Sequence, residues 1–367
     1  MIYLNDSSRV WHVAKSGNDG NSGHAGQYPV NLTNDAKLTI GAAVNAAQSG
    51  DVIIIWPGDY AENVNLGTKA ITLVGIHRTK SKIVPASGTA VSVGNDCCLR
   101  NLAAEGLAGT DPKGVDCMNK QNVVIDGCDI YGGYDGIYGY GTKYLWLNNC
   151  RIRGKYDGGN LSSTEQIIAT NCIFHGLGTY GTTVPCRGIW GAGQGTYQSC
   201  IFKAERSDVS SAELAALKLS AGNRAVFDNC IFETSAGASH TGGVYGLVLY
   251  DGSSVAVLNN CSLKAVSAGT PGNGPYDLYQ SAGDIVISNC RYSTKQGTII
   301  QEGTGWSAAV KGELTGIGLD KAAKMLLNKA VQNKLTGVIQ YYDDNGQTVI
   351  LTHTPSEDES SMTRTVS

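Results

Sequence analysis

The chain has 367 residues, of which 48 are glycine and 16% are charged, and its formal net charge is −3. This composition indicates many turns and a weakly charged surface, and it lacks the basic character of a nucleic-acid-binding protein. A hydrophobic share of 42% excludes general disorder, while no apolar run approaches the roughly 18 residues of a membrane span. We therefore expect a soluble protein with neither nucleic acid nor membrane as a partner. It is expected to fold in the cytoplasm, because its first residues, MIYLNDSSRV, show no Sec-type signal.

Residues 1–50 are predicted to form an entry strand, a loop and a helix ahead of the main repeat. The loop SGNDGNSG from Ser16 is rich in oxygen ligands, which makes Ca²⁺ the one candidate cofactor. It lacks the acidic spacing of an EF-hand, so a plain turn competes with this interpretation. Between Leu38 and Gln48, apolar residues recur at helical spacing before Gly50, which predicts a helix. We expect this helix to cap the N-terminal end of residues 51–306.

A short phrase around a cysteine recurs through much of residues 51–306. Its versions are IDGCDI, LNNCRI, ATNCIF, YQSCIF, FDNCIF, LNNCSL and ISNCRY. Successive cysteines are 22 to 31 residues apart, a period typical of solenoids and propellers. The cysteines in these phrases are Cys128, Cys150, Cys172, Cys200, Cys230, Cys261 and Cys290.

The pattern within the phrase predicts strand, bend, strand. Apolar residues lie mostly five and three positions before the cysteine and two after it, whereas Asn, Gly or Ser directly precedes it. The alternation of inward and outward side chains is therefore shifted by one residue at the position before the cysteine. Asn and Gly at that position suit a left-handed backbone conformation. An interval of 22 residues is too short for a propeller blade of about 40 residues. We predict an all-β protein, a parallel β-helix of about nine coils with the cysteines stacked as reduced thiols in its core.

The sequence changes character after residue 306. Apolar residues at helical spacing between Leu319 and Leu335 predict a helix, and the dipeptide Asn345-Gly346 between β-rich segments predicts a hairpin. We assign residues 307–354 to this helix and hairpin, and residues 355–367 to a frayed tail.

Two resemblances refine these expectations. Six residues at the start of the first coil match a pattern that recurs in right-handed parallel β-helix proteins of the pectate-lyase-like superfamily; they are Gly50, Asp51, Ile53, Pro57, Gly58 and Tyr60. This resemblance implies a right-handed β-helix. It leaves the activity of the protein open, since the superfamily contains lyases, hydrolases, epimerases and non-catalytic virion spikes. The block LLNKAVQNKLTGVIQYYDDNGQTVIL looks like a small module of phage structural proteins, which implies a virion tail as its location.

A column of outward residues three positions after each cysteine contains a candidate lyase centre. Arg153, His175 and Lys203 follow one another in this column. A lyase needs a base for a sugar C–H proton and a positive group beside the uronate, and a neutral His175 between two cations suits the role of base. A solvated charged face is the competing interpretation.

Carboxylates offer a hydrolase alternative. Asp135 and Asp157 each follow a cysteine by seven residues on adjacent coils, and Glu205 lies after Cys200. One coil of separation matches the roughly 5 to 5.5 Å between the carboxyls of retaining glycosidases. Because each of the two aspartates precedes a glycine, both are also typical turn residues.

Aromatic residues provide candidate sugar-binding positions. Tyr131, Tyr134 and Tyr138 crowd one coil, and Trp190 is expected to match Tyr138 on a later coil, with Arg187 on the same extra loop as Trp190. We place the glycan site on one lateral face over residues 131–206. Padding under loops or a subunit contact competes with sugar stacking. Three outward isoleucines, Ile173, Ile201 and Ile231, indicate an oligomer, with a homotrimer or another virion protein as the partner.

Together these patterns predict a phage-type β-helix protein that binds a polysaccharide and is a candidate for its cleavage, as a tailspike or lyase-like protein. A polysaccharide lyase and a glycoside hydrolase remain the two enzymatic alternatives. A non-catalytic glycan-binding module and a purely structural virion spike are the other classes.

Overall fold

The computed structural model describes residues 10–24, 31–181, 183–208, 210–220, 222–301, 330–332, 339–342, 349–357 and 362–366. The chain forms two compact units, Met1–Ile299 and Ile300–Ser367.

Three parallel sheets build the first unit, and successive strands along the chain visit them in turn. Sheet 1 has twelve strands: Val10–Val13, Val52–Ile55, Thr72–Gly75, Cys98–Arg100, Gln121–Asp126, Lys143–Asn148, Ile167–Thr170, Gln194–Gln198, Arg224–Asp228, Val255–Asn259, Asp284–Ser288 and Ile299–Gln301. Sheet 2 has nine strands: Gly58–Tyr60, Ser81–Ile83, Ala103–Gly106, Asp129–Gly132, Arg151–Gly154, Ile173–Gly176, Ile201–Arg206, Ile231–Ala236 and Ser262–Ser267. Sheet 3 has ten strands: Val64–Asn65, Val91–Ser92, Val115–Asp116, Ile137–Tyr138, Asp157–Asn160, Cys186–Trp190, Leu214–Leu219, Gly243–Leu249, Asn273–Gln280 and Lys295–Gln296.

This architecture is a right-handed parallel β-helix, so the predicted fold class is confirmed. The three sheets make about ten coils, close to the nine expected from the sequence. No helix in the described part of the chain is long and apolar enough to span a membrane.

A one-residue bend joins sheet 1 to sheet 2 in each coil, as the phase slip predicted. The residue before the ladder cysteine has a positive φ throughout, for example 51° at Asn149, 53° at Asn171 and 64° at Gly127. Asn and Gly tolerate this left-handed conformation best, because the clash of Cβ with the backbone is absent in Gly and offset in Asn by local hydrogen bonds. The bend turns the cysteine side chain inward.

The cysteine ladder lies in the core, and all eleven cysteines are free thiols. Six ladder cysteines are buried, whereas Cys290 is half-buried. Several thiols donate a hydrogen bond to a sheet 1 carbonyl of the preceding coil; Cys150 Sγ, for instance, lies 3.3 Å from the oxygen of Ile125, and Cys200 Sγ lies 3.4 Å from that of Ala169. These weak bonds link neighbouring coils at the place where the bend interrupts the regular strand. In an earlier coil Leu102 follows a residue of positive φ, Asn101, and is fully buried in the same core.

The predicted N-terminal helix is present over Ile40–Ala46. The Thr39 side chain caps it by accepting from the N–H of Ala42, and Glu62 accepts from the N–H groups of Ile40 and Gly41 at 2.8 and 2.7 Å. These acceptors satisfy donors that have no partner within the helix. Ile40, Ala43 and Val44 are buried in the core cluster.

The second unit contains an antiparallel sheet in the order Ala330–Gln332, Ile339–Tyr342, Val349–Glu357 and Met362–Val366. The pairing of the second strand with the third confirms the hairpin predicted around Asn345-Gly346, whose turn lies outside the described residues. Two predictions are wrong here. Ala330–Gln332 is a strand and not the last part of a helix, while residues 319–329 of that predicted helix lie outside the described residues. The tail is not frayed where it is described, because Met362–Val366 pairs with Val349–Glu357.

Candidate functional site

The predicted site residues lie on two different sheets. Tyr131, Arg153, His175, Lys203 and Glu205 belong to sheet 2 strands. Sheet 3 strands carry four others, Tyr138, Asp157, Arg187 and Trp190, while Tyr134 and Asp135 lie in the bend before the strand Ile137–Tyr138. The prediction of one shared lateral face is therefore wrong, since the bend between sheets 2 and 3 separates the cations from the two aspartates.

The sheet 2 column has the predicted register, and its members Arg153, His175 and Lys203 each lie beside a carboxylate. Tyr131, Arg153, His175 and Lys203 are direct neighbours on successive coils. Arg153 donates to Asp129 at 3.0 Å, and Glu205 lies 2.8 Å from Lys203 Nζ and 3.1 Å from His175 Nε2. Burial lowers the pKa of the His175 imidazole, which the Glu205 carboxylate offsets only in part. His175 thus has the neutral state of a base, but the neighbouring positive charges are already compensated by carboxylates.

Tight turns from sheet 2 into sheet 3 place the two aspartates. The strands before them end in Gly132 and Gly154. A Cβ at Gly132 would collide with the carbonyl of Asp135, and one at Gly154 would collide with the carbonyl of Asp157. Only glycine permits this close approach between two stretches of backbone. Asp157 begins the strand Asp157–Asn160, so its assignment to a turn was wrong.

Asp135 and Asp157 are fully buried on adjacent coils, where the N–H of Gly136 donates to the Asp157 carbonyl. Asp157 Oδ2 accepts from Arg187 Nη1 at 3.1 Å, whereas neither carboxyl oxygen of Asp135 has a hydrogen-bond partner among the described residues. Burial, followed by the charge of Asp157, raises the pKa of Asp135 well above its usual range. Burial also raises the pKa of Asp157, to about 7, against the opposing effect of Arg187. The geometry therefore favours one protonated and one ionisable carboxyl.

Arg187 holds this pair in place and does not project toward a ligand. It is only 4% exposed, and besides Asp157 it donates to Glu213 at 3.1 Å. Its guanidinium stacks at 4.9 Å on the ring of Trp190, which is half-buried. Both residues lie on the strand Cys186–Trp190, so the prediction that they lie on the extra loop is wrong. The extra length is instead in residues 177–185, ahead of that strand.

Three tyrosines form a cluster beside the carboxyl pair, and two of them, Tyr134 and Tyr156, directly precede the two aspartates. Tyr134 stacks on Tyr156 at 4.4 Å and meets Tyr180 edge-on at 4.6 Å. The buried Arg206 guanidinium fixes the segment that carries Tyr180, because it donates to the carbonyls of Gly178, Gly181 and Val184. Tyr180 is 41% exposed and Tyr134 is half-buried, so part of this group of rings is open to solvent.

The outer face of sheet 3 also has the register that the sequence predicted for sugar-binding aromatics. Tyr138, Asn160, Trp190 and Lys218 are aligned on successive coils, and Tyr279 follows after Val248. Tyr131 is not part of this face, since it lies under Arg153 on sheet 2. Ile173, Ile201 and Ile231 form the expected outward column on sheet 2, with Ile231 38% exposed.

Sequence reasoning did not identify several residues that lie on or beside the outer face of sheet 3. They are Tyr156, Tyr180, Glu213, Lys218, Tyr245, Tyr250 and Tyr276. One signal was available for the first of them: Tyr-Asp-Gly occurs at 134–136 and again at 156–158, one coil later. Repetition of a polar triplet at the coil period marks an aligned pair of side chains. The ion pairs of Glu213 had no such signal, because they depend on contacts between coils.

The loop from Ser16, proposed as a Ca²⁺ site, contributes hydrogen bonds to the start of the N-terminal helix. Asp19 Oδ1 accepts from the N–H groups of Leu38 and Thr39 at 2.9 and 2.8 Å, and Oδ2 accepts from the Thr39 hydroxyl. Among the described residues, no group of three or more His, Cys, Asp or Glu side chains could hold a metal ion.

We expect Asp135→Asn to stabilise the protein at pH 8. The pKa of Asp135 is raised in the folded state, so its contribution to stability is complete below the unfolded pKa of about 3.9 and is lost as the pH rises through the folded value. Asn cannot ionise and avoids this loss. At pH 8 the variant should have a higher Tm than the parent, and at pH 5 this gain should be smaller.

Thermal unfolding at both pH values measures this effect. Asp59→Asn, at an exposed aspartate, is the matched control and should leave the Tm nearly unchanged. A Tm for Asp135→Asn below that of the parent at pH 8 would contradict the buried, unpaired state of this carboxyl.

Comparison with known proteins supports the fold. Residues 69–205 match the family described as "Right handed beta helix region". No curated protein sequence matches the chain.

Three similar solved structures illustrate the range of likeness. Pectate lyase Pel9A shares 14% identity, with 81% of this chain and 74% of that chain covered and a TM-score of 0.47. Pectin methylesterase from carrot shares 17% identity over 83% and 86% of the two chains, with a TM-score of 0.43. Pectin methylesterase PemA from Erwinia chrysanthemi shares 13% identity over 84% and 95%, with a TM-score of 0.44. The family match over residues 69–205 agrees with the right-handed parallel β-helix that the three sheets form.

Proposed function

We propose that this protein binds a polysaccharide along the outer face of sheet 3. The observation that carries this proposal is the aligned aromatic column, in which the half-buried Tyr138 and Trp190 lie two coils apart with Asn160 between them. Strands of neighbouring coils are about 4.8 Å apart, a spacing close to the length of one sugar unit. Half-exposed aromatic rings on a rigid sheet can stack on the apolar faces of successive sugars, while their polar tips remain in water.

A matched pair of variants tests this binding site. We expect Trp190→Ala to weaken polysaccharide binding at least tenfold, about 1.4 kcal/mol, because it removes the stacking surface. Trp146→Ala is the control, since Trp146 is 36% exposed on sheet 1 and should leave affinity unchanged. Affinity electrophoresis against a panel of polysaccharides measures both. Equal binding by the parent and Trp190→Ala would contradict the placement, and no binding by the parent would favour a purely structural spike.

Cleavage is a second candidate function, which the carboxyl pair specifically favours. Two carboxyls one coil apart, about 4.8 Å by strand spacing, approximate the roughly 5 to 5.5 Å of retaining glycosidases. In this scheme the ionised Asp157, oriented by Arg187, attacks the anomeric carbon while Asp135 donates its proton to the departing glycosidic oxygen. Water then cleaves the glycosyl ester and returns a proton to Asp135. Both aspartates are fully buried, so the scheme requires the rings of Tyr134 and Tyr180 to move when a ligand binds.

The alternative function, a polysaccharide lyase, would use residues of the sheet 2 column. His175 is half-buried with a lowered pKa, and it is the candidate base. The two chemistries leave different products: a hydrolase releases reducing ends alone, whereas a lyase also produces an unsaturated sugar that absorbs near 235 nm. Measuring both signals on one panel of neutral and acidic polysaccharides therefore distinguishes them.

The biological setting that we propose is a phage virion tail, reached after folding in the cytoplasm with reduced cysteines. The resemblance of the C-terminal block to phage structural proteins supports this proposal, as does the outward isoleucine column for an oligomer such as a homotrimer. The free state of the eleven thiols is consistent with a reducing compartment.

A further inference from the structure

A second cluster of aromatic side chains lies on sheet 3, beyond the carboxyl pair. Its members, here called the tyrosine cluster, are Tyr245, Tyr250, Tyr276 and Tyr279. Tyr279 is the centre, because its ring lies 4.7 Å from that of Tyr245, 5.4 Å from that of Tyr250 and 5.9 Å from that of Tyr276. Tyr245 is buried, Tyr250 is 38% exposed, and the other two are half-buried. The cluster therefore presents aromatic surface to solvent on a buried base.

The register connects this cluster with the proposed binding face. Trp190 neighbours Lys218, Lys218 neighbours Val248, and Val248 neighbours Tyr279. Three coil steps of about 4.8 Å place Tyr279 about 14 Å from Trp190 along the helix axis. Tyr276 follows Tyr245 and Ala215 in the column that begins with Asp157 and Arg187. The tyrosine cluster thus continues the same outer face, at a distance that several consecutive sugar units would span.

Three cations along this face are held by carboxylates. Arg187 lies 3.1 Å from both Asp157 and Glu213, and Lys218 lies 3.0 Å from Glu213. Lys113, at the other end of the face, lies 2.9 Å from Asp111. Lys218 also lies over the ring of Tyr250 at 4.7 Å. A uronate carboxylate would have to displace one of these partners, whereas a neutral sugar needs only a ring surface and hydroxyl partners.

We infer that the tyrosine cluster is a second sugar subsite of the same binding face and that the ligand is a neutral polysaccharide long enough to reach from Trp190 to Tyr279. This inference rests on the proposed function and adds the substrate class and its minimum length. Short fragments contact Trp190 only, and long fragments contact both places. Affinity therefore rises with chain length until the ligand covers the tyrosine cluster.

Chain-length dependence tests the inference directly. We expect Tyr279→Ala to weaken the binding of a neutral β-1,4-linked hexasaccharide, from the cellulose or mannan series, at least tenfold, and to leave the binding of the corresponding disaccharide within twofold. Tyr279→Phe keeps the ring and should retain most of the affinity. Trp190→Ala should weaken both ligands, and Trp146→Ala, on sheet 1, neither. A hexasaccharide of galacturonate should bind the parent at least tenfold more weakly than the best neutral one. Titration calorimetry measures each case.

The outcomes separate this inference from the proposed function. If Trp190→Ala weakens binding but Tyr279→Ala affects neither ligand, or affects both equally, the second subsite is refuted while the binding face stands. Tighter binding of the acidic hexasaccharide would refute the neutral substrate class. If no saccharide binds the parent protein, the proposed function fails and this inference with it.

Discussion

Asp157→Asn is expected to lower kcat for polysaccharide hydrolysis on the order of 10³-fold, equivalent to about 4 kcal/mol of transition-state stabilisation. The variant keeps the size of the side chain and removes the ionisable oxygen that accepts from Arg187 at 3.1 Å. An amide cannot act as the nucleophile at the anomeric carbon, so the glycosyl intermediate cannot form. Because the pKa of Asp157 is raised to about 7, the parent's rate should also increase as the pH rises toward 7. Release of reducing ends measures both effects.

His175→Ala is the control for this experiment. It removes the candidate lyase base on sheet 2 and leaves the carboxyl pair on sheet 3 intact, so hydrolysis should stay within threefold of the parent. The reverse result would contradict the assignment: a parent-like rate for Asp157→Asn, together with loss of a 235 nm product in His175→Ala, would place the chemistry on sheet 2. Binding of the polysaccharide by Asp157→Asn, measured separately, excludes simple unfolding as the cause.

Phe202→Ala is expected to destabilise the β-helix by about 4 kcal/mol, within the range for deletion of a buried aromatic ring. Phe202 is fully buried between two parallel rings, Phe174 at 5.5 Å and Phe232 at 4.9 Å, and it meets Tyr197 and Phe227 edge-on. Its truncation leaves a cavity in the aromatic stack and removes contacts to both neighbouring coils. Since each coil depends on its neighbours in a solenoid, the loss should also loosen the coils on either side.

The change in Tm and in the urea midpoint measures this effect. Ile168→Ala serves as the control, because Ile168 is 37% exposed on the outer face of sheet 1 and should change stability by no more than about 0.5 kcal/mol. A loss below about 1 kcal/mol for Phe202→Ala would contradict the tight stacking of the core.

The candidate lyase site and the candidate hydrolase site differ in how well their residues suit the proposed reaction. The sheet 2 column combines a neutral imidazole with cations that Asp129 and Glu205 already neutralise. The sheet 3 pair combines a carboxyl that has no hydrogen-bond partner among the described residues, a carboxylate held by an arginine and an aromatic face beside them. A buried carboxyl without partners lowers stability, and such departures from good packing concentrate at functional sites. This contrast is why we place the candidate hydrolytic site on sheet 3.

Local sequence patterns predicted the fold and much of its register. The cysteine phrase has a period that fits a β-helix coil and is too short for a propeller blade, and the Asn, Gly or Ser before each cysteine indicates the left-handed bend seen at Asn149 and Asn171. These are local properties, because a side chain's preference for αL and the alternation of a strand are set by residues next to one another. The same logic aligned Tyr131, Arg153, His175 and Lys203 on neighbouring coils.

Tertiary structure alone decided which aligned residues share a face and which charges are buried. A bend of two residues between Gly154 and Asp157 moves the chain from sheet 2 to sheet 3. The sequence does not indicate that the side chains before and after this bend lie on different faces. Asp157 is buried, Arg187 pairs with it from the next coil, and Arg187 also pairs with Glu213 from the coil after that. Such contacts depend on how the coils stack in space, and the pKa values of the carboxyl pair follow from that stacking, because burial is a property of the surroundings and not of the residue.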